Sequence, residues 1–251
     1  YQLGGQFSFN RNKIKEMNEV YRPYDYLKRT GHSVNQYFGY EVEGIYQSWD
    51  DIENREVKQI LDEVRPGDLK FKDQNGDKVI DEYDQVALGY NKVCPEIYYG
   101  FSLGAEYKGL GFTALFQGVA NYSQMLDTRS IYRPLVNNNT VSQYYYDNRW
   151  TESNPDGKYP RLTYNGSKNN YNTNSLWVAD ASYLKLRTLE VYYDLPQKWV
   201  NKLPGVNHMR LFARGHDLFS IDKMDGVIDP EMTGTGHPLM TQYTFGVNLR
   251  F

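Results

Sequence analysis

The 251-residue chain sets 28 Lys and Arg against 31 Asp and Glu, for a net charge of −3 and a pI of ≈ 5.9, so no bulk basicity points to a nucleic-acid partner. Mean hydropathy is −0.73 and no run approaches the roughly 18 apolar residues of a membrane helix, although strands that face lipid on one side need only alternate. The compositional signal is aromatic (24 Tyr, 11 Phe and 4 Trp), which suits interfacial girdles, sugar-binding surfaces and β-rich domains alike, while the single Cys94 excludes an intrachain disulfide framework.

In chain order, YQLGGQFSFN sets Tyr1, Leu3, Phe7 and Phe9 opposite Gln2, Gln6, Ser8 and Asn10, a strand at period two. Residues 11–29 are mixed in charge with no apolar stripe, and read as a periplasmic connection carrying a short helical turn. QYFGYEVEGIYQ (36–47) is a weaker strand, followed by a long polar connection over 48–96. IYYGFSLGAEY (97–107) puts Ile97, Tyr99, Phe101, Leu103 and Tyr107 on one face and Ser102, Gly104 and Glu106 on the other. Lys108-Gly109 is a hairpin signal leading into the strand 110–121. A second long connection spans 122–176. The strand 177–193 changes phase near Thr188, as a β-bulge would make it do. A moderate connection (194–206), a strand (207–219), a third long connection (220–240) and a last strand (241–251) complete the chain. In that last strand Tyr243, Phe245, Val247, Leu249 and Phe251 share one face.

The expectation is about seven long strands with long loops on one side and short turns on the other, an all-β antiparallel transmembrane barrel. Long structureless loops are unusual in a compact soluble domain. The segment 11–35 fits poorly, since it would be a long connection on the short-turn side. Single-chain barrels have even strand numbers, so an odd count with Tyr1 falling outside suggests the last strands of a larger wall. The start without Met likewise reads as a piece of something longer.

Three groups of residues could carry chemistry. DQNGDKVIDEYD (73–84) offers oxygen ligands at positions 1, 3, 5, 7, 9 and 12 of a twelve-residue loop, namely Asp73, Asn75, Asp77, the Val79 carbonyl, Asp81 and Asp84. That pattern suits a structural calcium, with Lys78 where the sharp turn wants Gly and Asp84 where a bidentate Glu is usual. The bland alternative is an Asn-Gly turn on an exposed loop. The 122–176 connection carries Tyr144, Tyr145, Tyr146, Trp150 and Tyr159, whose rings could stack on sugars, pack against a partner or fill the loop itself. His216-Asp217 resembles a hydrolase dyad, but neighbours on a strand point to opposite faces. Neither a GxSxG elbow nor HExxH spacing is present, so an enzyme is not expected. Ser102, Gly104, Glu106, Thr113, Gln117, Asn121, Arg210 and Arg214 would line a wet interior.

The stretches RTGHSVNQYFGYEVEGIYQ (29–47), PGDLKFKDQNGDKVIDEYDQVALG (66–89), PEIYYGFSLGAEYKGLGFTALFQGVAN (95–121), DNRWTESNPDGKYPRLT (147–163), LWVADASYLKLRTLEVYYDLP (176–196), MRLFARGHDLFSI (209–221), DPE (229–231) and YTFGVNLRF (243–251) run in the order of one family. The chain resembles the C-terminal barrel portion of SusC/RagA-type TonB-dependent outer-membrane transporters. The resemblance implies a 22-strand barrel, with the plug domain and TonB box outside this chain. It implies residues 48–96 and 122–176 as extracellular loops, a SusD-like lipoprotein partner and energy from the TonB complex. The cargo it implies is a glycan most commonly, a peptide in some relatives, and no cofactor is required. It also implies that Tyr243, Phe245 and Phe251 carry the signal for insertion into outer-membrane lipid. The alternative from another class is a soluble, calcium-stabilised, carbohydrate-binding β-sandwich.

Overall fold

The computed structural model describes residues 1–164, 166–224, 226–232 and 239–251. Six long strands form one sheet: β1 (Gln2–Phe9), β2 (Ile97–Tyr107), β3 (Leu110–Ala120), β4 (Tyr183–Asp194), β5 (His208–Asp222) and β6 (Gln242–Arg250). Each pairs antiparallel with the strand before it, so sequence order is spatial order. An 11-residue strand such as β2 spans about 36 Å, or about 25 Å of height at a barrel tilt near 45°.

The alternation read from the sequence sets the two faces. Residues directly opposite share a face, and the register stacks Phe101 on Phe116, Phe112 on Val191, Leu211 on Val247 and Ala213 on Phe245. That face is apolar and open: Leu3 keeps 80%, Phe7 71% and Phe245 79% of its exposure. No second sheet covers it among the described residues, which removes the β-sandwich alternative. The phase change near Thr188 is a bulge, since the pairing of β4 with both neighbours shifts between Leu186 and Thr188. Against β3 the extra residue is Arg187, whereas against β5 it lies on β5, where Asp217 and Leu218 together oppose Arg187 and Asp217 adopts a φ of 49°.

Three corrections to the expected topology follow. Residues 36–47 are not a wall strand. They break at Tyr40-Glu41 into Gln36–Gly39 and Val42–Ile45, which pair with Val86–Asn91 and Leu69–Phe71 away from the wall. The alternation in QYFGYEVEGIYQ belongs to two short local ladders, and period two alone cannot distinguish them from one long strand. Consequently 11–35 is not a periplasmic connection. Phe9 pairs with Ile97, so all of 10–96 is one excursion leaving and rejoining the wall at the same end. Among the described residues the wall strands number six, and Tyr1 and Phe251 lie at one end, with the short connections 108–109 and 195–207.

The connections that follow β1, β3 and β5 all leave the wall at the opposite end. The first two build a layer of short strands, turns and helices. Serine N-caps start several of these helices: Ser48 accepts from the Asp51 N–H, Ser142 from Tyr145 and Ser167 from Asn170. None of the described helices is long and apolar enough to cross a membrane. The hydrophobic core lies in this layer. One cluster gathers Tyr132, Tyr145, Tyr159 and Trp177 with Leu126, Met224 and Ile228, and a second gathers Tyr40, Leu69, Phe71 and Ile80.

Candidate functional site

The polar face of the wall carries a continuous seam along β4 and β5. At the short-turn end Arg210 grips Asp194 through two 2.7 Å bonds, and its guanidinium lies 3.8 Å from the Tyr192 ring centre. The Tyr192 hydroxyl donates to Glu106 on β2 at 2.9 Å, and Arg214 Nε donates to Glu190 at 2.7 Å. These contacts place Glu106, Arg210 and Arg214 on the lumen-type face, as the alternation predicts. Asn121 sits at the wall's upper end, where its amide donates to Glu96 at 2.9 Å and Arg11 clasps the same carboxylate at 2.6 and 2.8 Å. His216 meets Thr188 across strands at 3.2 Å while Asp217 accepts from Arg187 at 2.8 Å. The adjacent pair is therefore divided between two partners rather than joined in a dyad.

The seam ends in a latch that the sequence analysis did not find. The segment after β5 folds back onto the wall, and its Asp229 and Glu231 receive Lys185 at 2.6 and 2.9 Å. Glu231 also accepts from the Tyr183 hydroxyl at 2.7 Å and from Arg187. Arg187 completes its set with Gln117 at 3.0 Å. Lys185 retains only 3% side-chain exposure, so its charge depends on these carboxylates. Burial pushes the Glu231 carboxyl up, but the bonds from Arg187, Tyr183 and Lys185 outweigh it and hold it at about 2. The only sequence signals were a Lys at the polar parity of a strand and the DPE triplet. A pairing across 44 to 46 residues is not readable from either.

Above the wall, the loop aromatics divide. Tyr145 and Tyr159 are fully buried, stacked with ring centres 5.2 Å apart, and Trp177 stacks on Tyr159 at 5.6 Å. Trp150 is buried too, with its indole N–H donated to Gln47 at 2.8 Å, and Tyr144 packs against the same cluster. For Tyr145, Tyr159 and Trp150 this corrects the expectation of partner or cargo contact: as the core of the layer they are shut away from both. Tyr146 keeps 48% exposure, with Arg149 stacked on its ring at 3.6 Å. The two excursions are fastened by a buried polar net in which Gln59 donates to Asn169 at 2.8 Å, and Asn170 joins Asp68 at 2.7 Å and the Leu69 N–H at 2.9 Å.

The 73–84 loop is closed by its own backbone. Asp73 accepts from the N–H groups of Gly76 and Lys78 at 2.7 and 2.8 Å, and Asp77 accepts from Val79 at 2.8 Å. Lys78 has a φ of 68°, the conformation a glycine at that position would take without cost. Asp84 is fully buried and accepts from Gln74 and Asp81, each at 2.8 Å. Burial pushes its carboxyl up, and those two N–H bonds pull it only part of the way back. Among the described residues no group of three or more His, Cys, Asp or Glu stands close enough to hold a metal, so Asp73, Asp77, Asp81 and Asp84 do not converge in this arrangement. Tyr243, Phe245 and Phe251, expected to carry an insertion signal, are exposed on or beside β6, at 68%, 79% and 78%.

A meander with an open apolar face, a charge-lined opposite face and every long excursion at one end is a sector of an outer-membrane-type β-barrel. No family model matches the chain. It is 30% identical to TonB-dependent receptor P26 of Formosa agariphila over 82% of this chain and 20% of that protein. It is 24% identical to receptor P39 of the same organism, over 98% of this chain and 28% of that protein. Its fold superposes on the structure of the RagAB peptide transporter with a TM-score of 0.69 at 21% identity, covering 98% of this chain and 26% of that one. The RagAB peptide importer in its "closed-closed" state gives 0.65 over 98% of this chain and 27% of that one. The chain is thus a homologue of the TonB-dependent receptors, and it spans about a quarter of the length of the relatives it matches.

Proposed function

We propose that this chain forms an arc of wall and its overlying loops in an outer-membrane transporter that imports bulky nutrients. The observation that carries the reading is the two-faced wall. One face is apolar and open along six strands, and the other is closed by ion pairs from Asp194 to Lys185. Such a wall needs lipid on one side and water on the other. The charges of the seam are paired with one another. It offers a fixed polar surface for water, a plug or cargo.

The cargo would be a glycan, the class the family resemblance implies, taken up with a SusD-like lipoprotein and TonB-transmitted energy. A peptide is the second reading, favoured by the RagAB likeness. Tyr243, Phe245 and Phe251 would serve recognition by the assembly machinery, in addition to facing lipid. A calcium ion at 73–84 is proposed only with Asp84 releasing its two backbone donors; calcium-dependent protection of this loop from proteolysis would support it, and indifference to calcium would overturn it. The main test is uptake of labelled oligosaccharides and oligopeptides by cells lacking the receptor gene, with and without the full-length gene restored. Restored uptake that vanishes when TonB is removed is expected. Uptake indifferent to the gene would overturn the reading.

A further inference from the structure

A cleft of ≈ 760 Å³ opens at the seam between the two large excursions. Leu61 and Asp62 line it from the first, and Asp127, Arg129, Arg133 and Lys168 from the second. Arg133 is the group without an evident employment. Its guanidinium lies against the stacked pair of Tyr171 and Trp177, 4.6 Å from the Tyr171 centre and 5.5 Å from that of Trp177. One of its five N–H groups is spent on the Tyr171 carbonyl at 3.1 Å. Among the described residues Arg133, Arg129 and Lys168 form no ion pair. Burial pushes the Arg133 guanidinium down from its ordinary value against the smaller opposing pull of Tyr171, Asp127 and Tyr145, so it is partly stripped of water, and among the described residues no carboxylate lies within ion-pair distance of it. Asp62 forms no ion pair with it; one of its oxygens accepts from the Glu63 N–H at 3.0 Å and the other from the Lys168 N–H at 3.0 Å.

We propose that this cleft is a carboxylate-binding subsite, in which the free edge of Arg133 receives a carboxylate of the cargo. Arg129 and Lys168 supply attraction at the rim, and Leu61 and Val136 contact the adjoining carbon skeleton. A guanidinium is planar and presents parallel N–H groups that match a planar carboxylate. Asp127 on the rim opposes a second negative charge, which favours a carboxylate over a doubly charged phosphate. The carboxylate could be a peptide terminus or a uronic acid, and the chemistry at Arg133 is the same. The subsite deepens the import reading and rests on it.

The test uses the full-length receptor in detergent and four probes: a short peptide with a free C-terminus, its C-terminal amide, an oligogalacturonate and its methyl ester. Titration calorimetry should show one free acid bound about 10- to 100-fold more tightly than its neutral counterpart, the range for a charge-assisted pair. The contrast should vanish in Arg133→Gln and partly return in Arg133→Lys. If Arg133→Gln fails to fold, the double variant Arg129→Gln/Lys168→Gln alters two rim cations and should shrink the contrast. A contrast confined to the peptide pair identifies a terminus as the source, and one confined to the sugar pair identifies a uronate. Equal affinity for acid and neutral forms, or a contrast that survives every variant, overturns the subsite. A receptor that binds the acid probe but imports nothing strikes the import reading alone. One that imports nutrient with no acid preference strikes the subsite alone.

Discussion

Replacing Glu231 with Gln removes one charge from the latch while keeping the side chain's size. The shift of its carboxyl from the ordinary 4.5 to about 2 corresponds to an upper bound of about 3 kcal/mol. The side chain keeps 25% exposure, so solvent screening reduces that figure. Gln can still accept from Tyr183, Lys185 retains Asp229 and Arg187 retains Asp217. What disappears is the ionic part of two bonds, about 2 kcal/mol, or about 30-fold in the opening equilibrium of the segment. Hydrogen exchange across 226–232 in the solubilised receptor reads that equilibrium directly. Exchange should rise by about that factor in Glu231→Gln and by more in Lys185→Met, which leaves Asp229 without its cation. Exchange within about twofold of wild type in both variants would refute the claim that these charges hold the segment down.

Acid should loosen the same segment in a defined direction. A depressed carboxyl contributes fully above its unfolded value and loses that contribution as pH falls through the folded one, so protection at 226–232, taken relative to the intrinsic exchange rate at each pH, should fall between 4.5 and about 2; loss of protection on alkalinisation instead would contradict the assignment. In the wall, Gly118, Gly111 and Gly246 lie under the rings of Tyr99, Tyr192 and Phe212, and an added Cβ would come within 2.3, 2.4 and 2.5 Å of them. Gly118→Val and Gly246→Val should each cost about 1–3 kcal/mol and lower the yield of heat-modifiable folded barrel on gels; undiminished yield would refute the close fit. In the layer, Trp177→Ala should cost about 3–5 kcal/mol by opening a cavity in the Tyr132–Tyr145–Tyr159 cluster, read as new protease cleavage within 121–182. Wild-type resistance there would show that the aromatics do not hold the layer.

The wall was legible because a strand between lipid and water must alternate, and β2, β3 and β6 do so over almost their whole length. Even the bulge was visible, as the break in phase at Thr188. The layer was not, because its order comes from contacts distant in sequence. Gln36–Gly39 and Val42–Ile45 carry the same alternation as a wall strand, and only their partners at 86–91 and 69–71 show otherwise. Counting that stretch as a wall strand produced the odd total and left 11–35 on the wrong side. The loop aromatics were correctly found and open in role, since composition cannot tell a ring that fills a core from one that greets a partner. The calcium-like spacing was likewise real, but sequence does not show that Asp84 is already committed to two backbone donors. Arg133 drew no notice, as an arginine is conspicuous only when the absence of a counter-ion can be seen.

The core of this chain lies in the loop layer, and among the described residues nothing packs over the apolar face of its wall. The two regions should therefore respond differently to the same injury. Trimming Leu69, buried at 1% exposure, leaves a hole bounded by neighbours that can only partly close over it. Trimming Leu103 or Leu211, exposed at 37% and 40%, leaves a dent that a fluid acyl chain fills without strain. Residue size is thus tightly prescribed above the membrane and loosely prescribed within it, where hydrophobicity matters more than shape. Outward wall positions should therefore tolerate exchange among Leu, Val and Phe, while buried positions of the layer should not.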